Sequence, residues 1–125
     1  MRYLSVEEVL EINAQVMRGK HVLRDRGLLE SAAARPRASA FGTDAYPDLA
    51  AKAAALLHSL VLNHPFIDGN KRTAVLATLV FLDLNGYVVR WDQREALDFM
   101  LRLAQHQVEL DDVIAFLRDR MHRRS

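Results

Sequence analysis

Nine consecutive residues, His64-Pro65-Phe66-Ile67-Asp68-Gly69-Asn70-Lys71-Arg72, gather a base, a carboxylate, a Gly-Asn turn and two cations. If this run opens a helix, it has a chemical use. The first-turn N–H groups of a helix lack intrahelical partners, and the helix dipole favours an anion beside them. Gly69 lets the backbone approach a ligand closely and adopt a positive φ. Lys71 and Arg72 can add charge-assisted contacts to phosphate oxygens. Asp68 is a hard oxygen ligand for Mg²⁺, an ion commonly held by one or two carboxylates together with the phosphates it bridges. A histidine side chain with an ordinary pKa of about 6.5 can accept a proton from an attacking hydroxyl at cellular pH, which is the work open to His64. Phe66 and Ile67 are expected to anchor the middle of the run in the core. Each residue also has a plain structural use: Asp-Gly and Gly-Asn are turn pairs, Asn70 could cap a helix, and His64 could bond helix-end carbonyls. A connection between helices needs no histidine, carboxylate and two cations together, so the combination points to phosphate chemistry.

The flanking segments supply the elements that must hold this run. Asp48 can cap a helix over Leu49–Asn63, a stretch rich in Ala and Leu that is apolar on more than one face and reads as a buried central element. Pro65 biases His64 away from helical backbone, so this helix should end just before the histidine. Another helix starts around Gly69 or Asn70 and runs to Leu84, where Asn85-Gly86 provides a left-handed stop. Ser5-Val-Glu-Glu8 is a capping box for a first helix ending near Gly19. A second helix spans Leu28 to Arg35 and stops at Pro36. The two prolines and Gly42 between Pro36 and Pro47 mark a loop. Tyr87–Trp91 is the one strand-like run. Asp92 caps a helix reaching about Gln107, and Asp111 and Asp112 sit in the first turn of a last helix. The sum is one all-α domain over residues 1–125, a bundle of about six helices whose central pair is joined by the reactive loop.

Composition bounds the rest. Lys and Arg total 17 against 16 Asp and Glu, and the net charge of +1 offers no footprint for a polyanionic partner. Arg118, Arg120, His122, Arg123 and Arg124 make the C-terminus basic, which reads as cations near a helix end rather than a nucleic-acid contact. The absence of cysteine excludes disulfides and thiolate zinc sites and fits a cytoplasmic protein. No apolar run reaches the roughly 20 residues of a membrane span, and the N-terminus has no signal-peptide core. His21, His58, His106 and His122 lack the spacing of a metal site, and His58 reads as a packed histidine. No serine or threonine has the context of a hydrolase triad.

His64 to Arg72 resembles the active-site motif of Fic-domain proteins, His-Pro-Phe-x-Asp/Glu-Gly-Asn-Gly-Arg-x-x-Arg, matching it at His64, Pro65, Phe66, Asp68, Gly69, Asn70 and Arg72. Leu28-Leu-Glu-Ser-Ala, Tyr46-Pro-Asp-Leu-Ala and Phe81-Leu-Asp-Leu-Asn-Gly-Tyr87 resemble the Doc (death-on-curing) branch of toxins, and the likeness runs over most of residues 3 to 118. Two positions depart from the general pattern: Lys71 stands where most Fic enzymes have Gly, and Val75 where they have a second Arg. Both fit the Doc branch. The resemblance implies the Fic helical bundle, His64 as base, Asp68 as magnesium ligand, and Gly69, Asn70, Lys71 and Arg72 as the phosphate cradle, with Phe66 as loop anchor. It also implies a flap beside the loop, expected within residues 37–46.

The activity implied is Mg²⁺-ATP-dependent modification of a hydroxyl on a target protein, and for the Doc branch the resemblance implies a translation elongation factor. Phosphoryl transfer is expected, because Lys71 and Val75 alter the cradle that AMP-transferring Fic enzymes use; AMP transfer is the alternative. A catalytically silent Fic-like binding module is a further reading, against which the intact His64 and Asp68 argue. The Ser/Thr-x-x-x-Glu-Gly/Asn motif of inhibitory Fic helices does not occur in the sequence. Control is therefore expected from a separate antitoxin, through a disordered segment that folds over the site.

Overall fold

The computed structural model describes all of residues 1–125. Its six helices are α1 (Val6–Val16), α2 (Arg26–Ala34), α3 (Leu49–Asn63), α4 (Asn70–Leu84), α5 (Gln93–Ala104) and α6 (Leu110–Arg120). The helix starts follow side-chain chemistry. Ser5 and Glu8 form the reciprocal capping box, and Asp25, Asp48 and Asp92 each accept an N–H from the first turn they precede. Glu109 and Asp112 form a second reciprocal pair ahead of α6. Such caps satisfy donors that no intrahelical carbonyl can reach.

α3 is the core element. Eleven of its residues are buried, on every side of the helix, and it packs against α2, α4, α5 and α6. The large side chains around it include Leu29, Phe66, Phe81, Leu82, Leu103 and Leu117, all nearly free of solvent contact. A helix surrounded in this way cannot show a single apolar stripe, which is why its sequence is apolar all round.

Four short strands complete the chain. β1 (Ser39–Ala40) and β2 (Thr43–Asp44) form a hairpin whose two linking residues, Phe41 and Gly42, have φ of +54° and +76°. Both values are left-handed, as the tightest hairpin turns require. This hairpin lies inside the 37–46 stretch expected to hold a flap. Lys52, buried in α3, ties it down by donating to Asp44 Oδ2 at 3.3 Å and to the Pro36 carbonyl at 3.2 Å. β3 (Tyr87–Val89) pairs antiparallel with β4 (Met121–Arg123), Val88 facing His122. The strand-like run at Tyr87 is thus a real strand, and its partner is the basic C-terminus.

The boundaries shift where the stop signal is not a glycine. α2 begins at Arg26 instead of Leu28, because Asp25 caps the Leu28 N–H at 3.0 Å, and Pro36 continues the chain through a 3₁₀ turn, Arg35–Arg37. α5 ends at Ala104 instead of Gln107: His106 turns left-handed at φ +59°, and the Gln107 N–H reaches back to the Arg102 carbonyl. That is a Schellman closure carried by a histidine.

Candidate active site

The central pair of helices is joined by a loop held from two sides. His64 follows α3 in left-handed backbone, φ +48° and ψ +57°, and Pro65 cannot extend the helix. The carbonyls left open at that helix end are taken by Arg24, whose Nε donates to His64 O at 2.7 Å and Nη2 to Asn63 O at 2.9 Å. The segment carrying Arg24 then runs alongside the loop. Arg24 and Asp25 N–H both donate to the Pro65 carbonyl, and the Ile67 N–H donates to Val22 O at 2.7 Å. Phe66 is 1 % exposed and fixes the loop to the core. Asn70 closes the turn with both ends of its amide, accepting from Phe66 N–H at 2.9 Å and donating to Phe66 O at 2.8 Å.

α4 opens at Gly69, φ +76°. A Cβ there would lie 2.9 Å from Met17 Sδ and 3.2 Å from Val16 Cγ1, so glycine is needed for the backbone angle and for the close approach of α1. Asp68 Oδ1 accepts the Gly69 N–H at 2.7 Å, which leaves its other oxygen uncommitted within the protein. The N–H groups of Asn70, Lys71 and Arg72 form the first turn of α4, where no intrahelical partner exists.

These residues converge on a cavity of about 530 Å³, lined by His64, Phe66 to Arg72, and Arg24. The expected site residues His64, Asp68, Gly69, Asn70, Lys71 and Arg72 therefore share one space. His64, Asp68, Lys71 and Arg72 are exposed, and neither cation is in an ion pair. One expectation needs correction. Ile67 is 72 % exposed, not an anchor: its neighbour Phe66 takes the inward position, and adjacent residues in this extended stretch point opposite ways. The Asn70 side chain holds the loop through Phe66, and its backbone N–H lies in the first turn of α4.

Three features of the site were not read from the sequence. Arg24 lies 40 residues before His64 and carries no local signal. Asn13 sits fully buried on α1, among apolar residues that mark a core face. The third is a groove of about 450 Å³ between α4 and α5, floored by Val75, Leu76, Leu79, Trp91 and Met100, which shares Lys71 and Arg72 with the first cavity. Trp91 packs on Phe116 and also shows one side to this groove. No residue of the 37–46 stretch lines either cavity.

The family profile described as Fic/DOC matches residues 3–82, which contain the whole loop, α3 and all but the last two residues of α4. The chain belongs to the Fic/DOC family. It is similar to "Toxin Doc" of Mycolicibacterium smegmatis, 45% identical over 117 residues, covering 92% of this chain and 90% of that protein. It is also similar to "Protein kinase doc" of Escherichia phage P1, 31% identical over 121 residues and 94% of each chain. In this Fic/DOC domain the two departures from the general motif lie next to each other in space. Lys71 stands at the junction of the two cavities, and Val75 begins the apolar floor of the second.

The donor set suits a magnesium–nucleotide complex. No group of three or more His, Cys, Asp or Glu side chains is present to cage a bare metal. One carboxylate beside a helix N-terminus is instead the arrangement in which phosphates supply the remaining oxygens.

The other histidine of note, His58, lines neither cavity. It is half-buried on α3, with Nδ1 at 2.9 Å from Arg35 Nη1. Burial first, and the Arg35 charge second, push its pKa below the ordinary 6.5.

Proposed function

We propose that this protein is a toxin that transfers a phosphoryl group from ATP to a Ser or Thr hydroxyl of a target protein, with His64 as general base. The observation that carries the reading is the shared cavity: an exposed imidazole at the end of α3 faces the same space as the open N-terminus of α4, Asp68, Lys71 and Arg72. The names of the two relatives, a toxin and a protein kinase, support both halves of it. A translation elongation factor is the first target to try, on the family resemblance.

In this reading the α4 amides, Lys71 and Arg72 bind the phosphate oxygens, and Asp68 would hold Mg²⁺, which supplies charge neutralisation across the phosphates. The nucleoside rests on the apolar floor between α4 and α5. The triphosphate then runs back past Lys71 and Arg72, and the γ-phosphate is the one nearest His64. A neutral ring nitrogen of His64 takes the proton of the target hydroxyl. The hydroxyl oxygen bonds to the γ-phosphorus, the bond from that phosphorus to the β-phosphate bridge breaks, and ADP leaves. AMP transfer is the second reading, favoured by the general Fic motif that most of the loop retains. There the α-phosphorus is attacked and pyrophosphate leaves.

Incubation with purified elongation factor or lysate and ATP labelled at the α- or the γ-phosphate separates the two. Label on protein from the γ position alone is the expected result. Label from the α position would replace phosphoryl transfer with AMP transfer. Control is proposed to come from a separate antitoxin whose flexible segment folds over the exposed site.

A further inference from the structure

Asn13 is the one amide that α1 buries, at the middle of a face otherwise made of Val9, Ile12 and Ala14, and no solvent reaches it. Asparagine is a poor choice for a helix interior on propensity alone, and an unsatisfied amide there would be costly. Both polar atoms of this one are bonded within the protein. Its Oδ1 accepts the Val22 N–H at 2.9 Å, and its Nδ2 donates to Thr73 Oγ1 at 3.0 Å and to the Asp68 carbonyl at 3.2 Å. The three partners belong to the three pieces that make the site: the segment that pairs with the loop, the first turn of α4, and the loop itself.

The bond to the Asp68 carbonyl is the informative one. A peptide group is planar, so fixing a carbonyl also fixes the N–H on its other side. Here that N–H belongs to Gly69, and it holds Asp68 Oδ1 at 2.7 Å. Asn13 therefore sets the Asp68–Gly69 peptide, the peptide sets one carboxylate oxygen, and the other oxygen is left aimed by the same constraint. Gly69 cannot relax the arrangement by shifting toward α1, because Val16 and Met17 close that side.

We infer that Asn13 is a positioning residue, which orients the Asp68 carboxylate for a magnesium–nucleotide complex through the Asp68–Gly69 peptide. This rests on the assignment of Asp68 made under Proposed function. Partners that orient metal ligands typically alter metal affinity by about 10–100-fold when removed.

Two substitutions separate this role from general support of the fold. Asn13→Asp keeps an acceptor for the Val22 N–H and loses both donors. Thr73→Val removes one partner of Asn13 and leaves the bond to the Asp68 carbonyl. Binding of a non-hydrolysable ATP analogue is followed by calorimetry as Mg²⁺ is titrated, and the Gly69 amide is followed by NMR in the metal-free protein. Asn13→Asp is expected to raise the Mg²⁺ requirement about 10-fold and to shift the Gly69 amide and speed its hydrogen exchange. Thr73→Val should leave the Mg²⁺ requirement unchanged even if it lowers the melting temperature. Asn13→Ala, read at low temperature, replaces Asn13→Asp should the latter not fold.

A folded Asn13 variant with the wild-type Mg²⁺ requirement overturns the inference, and so does an equal change in Thr73→Val. Asp68→Ala is run beside them. If it alters the Mg²⁺ response while Asn13→Asp does not, the positioning role fails and the assignment of Asp68 stands. If Asp68→Ala itself leaves the response unchanged, the assignment is what fails.

Discussion

His64 works from backbone that costs a non-glycine residue about 1–2 kcal/mol. The left-handed turn is maintained by Arg24 on the helix-end carbonyls and by the pairing of the Val22–Asp25 segment with the loop. The imidazole itself is exposed and bonds to nothing in the protein, so its chemistry and the fold are separable. His64→Ala should lower the transfer rate by about 10²–10⁴-fold while the melting temperature stays near wild type; wild-type turnover in that variant would remove His64 as the base. Gly69 is the opposite case, because its backbone angle and its contact with α1 are both structural. Gly69→Ala must accommodate a positive φ and a methyl 2.9 Å from Met17 Sδ. We expect a loss of about 2 kcal/mol or more in unfolding free energy, together with weakened nucleotide binding, measured by denaturant titration and calorimetry. An unchanged midpoint in denaturant would mean that α1 does not press on the loop as described.

Among the elements, the hub of α3 shows how far sequence alone could reach. All six helices were legible, because their caps and apolar spacing are local: Ser5, Asp48 and Asp92 each announce a start within four residues. The loop of the candidate site was legible for the same reason, as nine adjacent residues. What escaped was held by partners distant in the chain. Arg24 and Asn13 meet the loop across 40 and 55 positions, and β3 finds its strand at the C-terminus. The left-handed helix end at His106 lacks the glycine that would have marked it. The Arg35 node is another long-range feature. Arg35 donates to Tyr46 Oη at 2.7 Å, to Ser59 Oγ at 2.8 Å and to His58 Nδ1, tying the turn before β1, the end of the hairpin and α3 together. His58 must be neutral to accept that bond, and its folded pKa is lowered below 6.5 by burial and by Arg35. The folded state then binds fewer protons than the unfolded state in the window just below pH 6.5, so stability is present above that pH and declines as pH falls through it. His58→Asn keeps an acceptor near Nδ1 and cannot titrate. Its melting temperature should fall less than that of wild type between pH 7 and pH 5.5, and parallel curves would show that His58 is not the group responsible.

At the scale of the whole molecule, the basic C-terminus is an internal fastening. Arg118 pairs with Asp48 ahead of α3, Arg120 with Glu95 on α5, and Arg124 with Asp83 on α4. Three cations of the basic terminus are thereby matched within the domain, while Lys71 and Arg72 at the loop are left without carboxylate partners. Two cations without carboxylate partners thus stand at a site where His64 and Asp68 are also exposed. On the proposed function, a transferase with so accessible a site would act on its target unless something covered it. Expression alone in bacteria from a tightly controlled promoter should therefore halt growth within a few generations, and co-expression of a cognate antitoxin should restore it. The arrest must depend on chemistry rather than on the burden of the protein, so His64→Ala at the same soluble level should leave growth unaffected. Gel analysis of target labelling in the same cells makes the comparison quantitative. Normal growth with abundant, soluble protein that still modifies its target in extracts would separate the activity from toxicity and sink the toxin reading, while arrest by His64→Ala at an equal level would place the cause outside the transfer reaction.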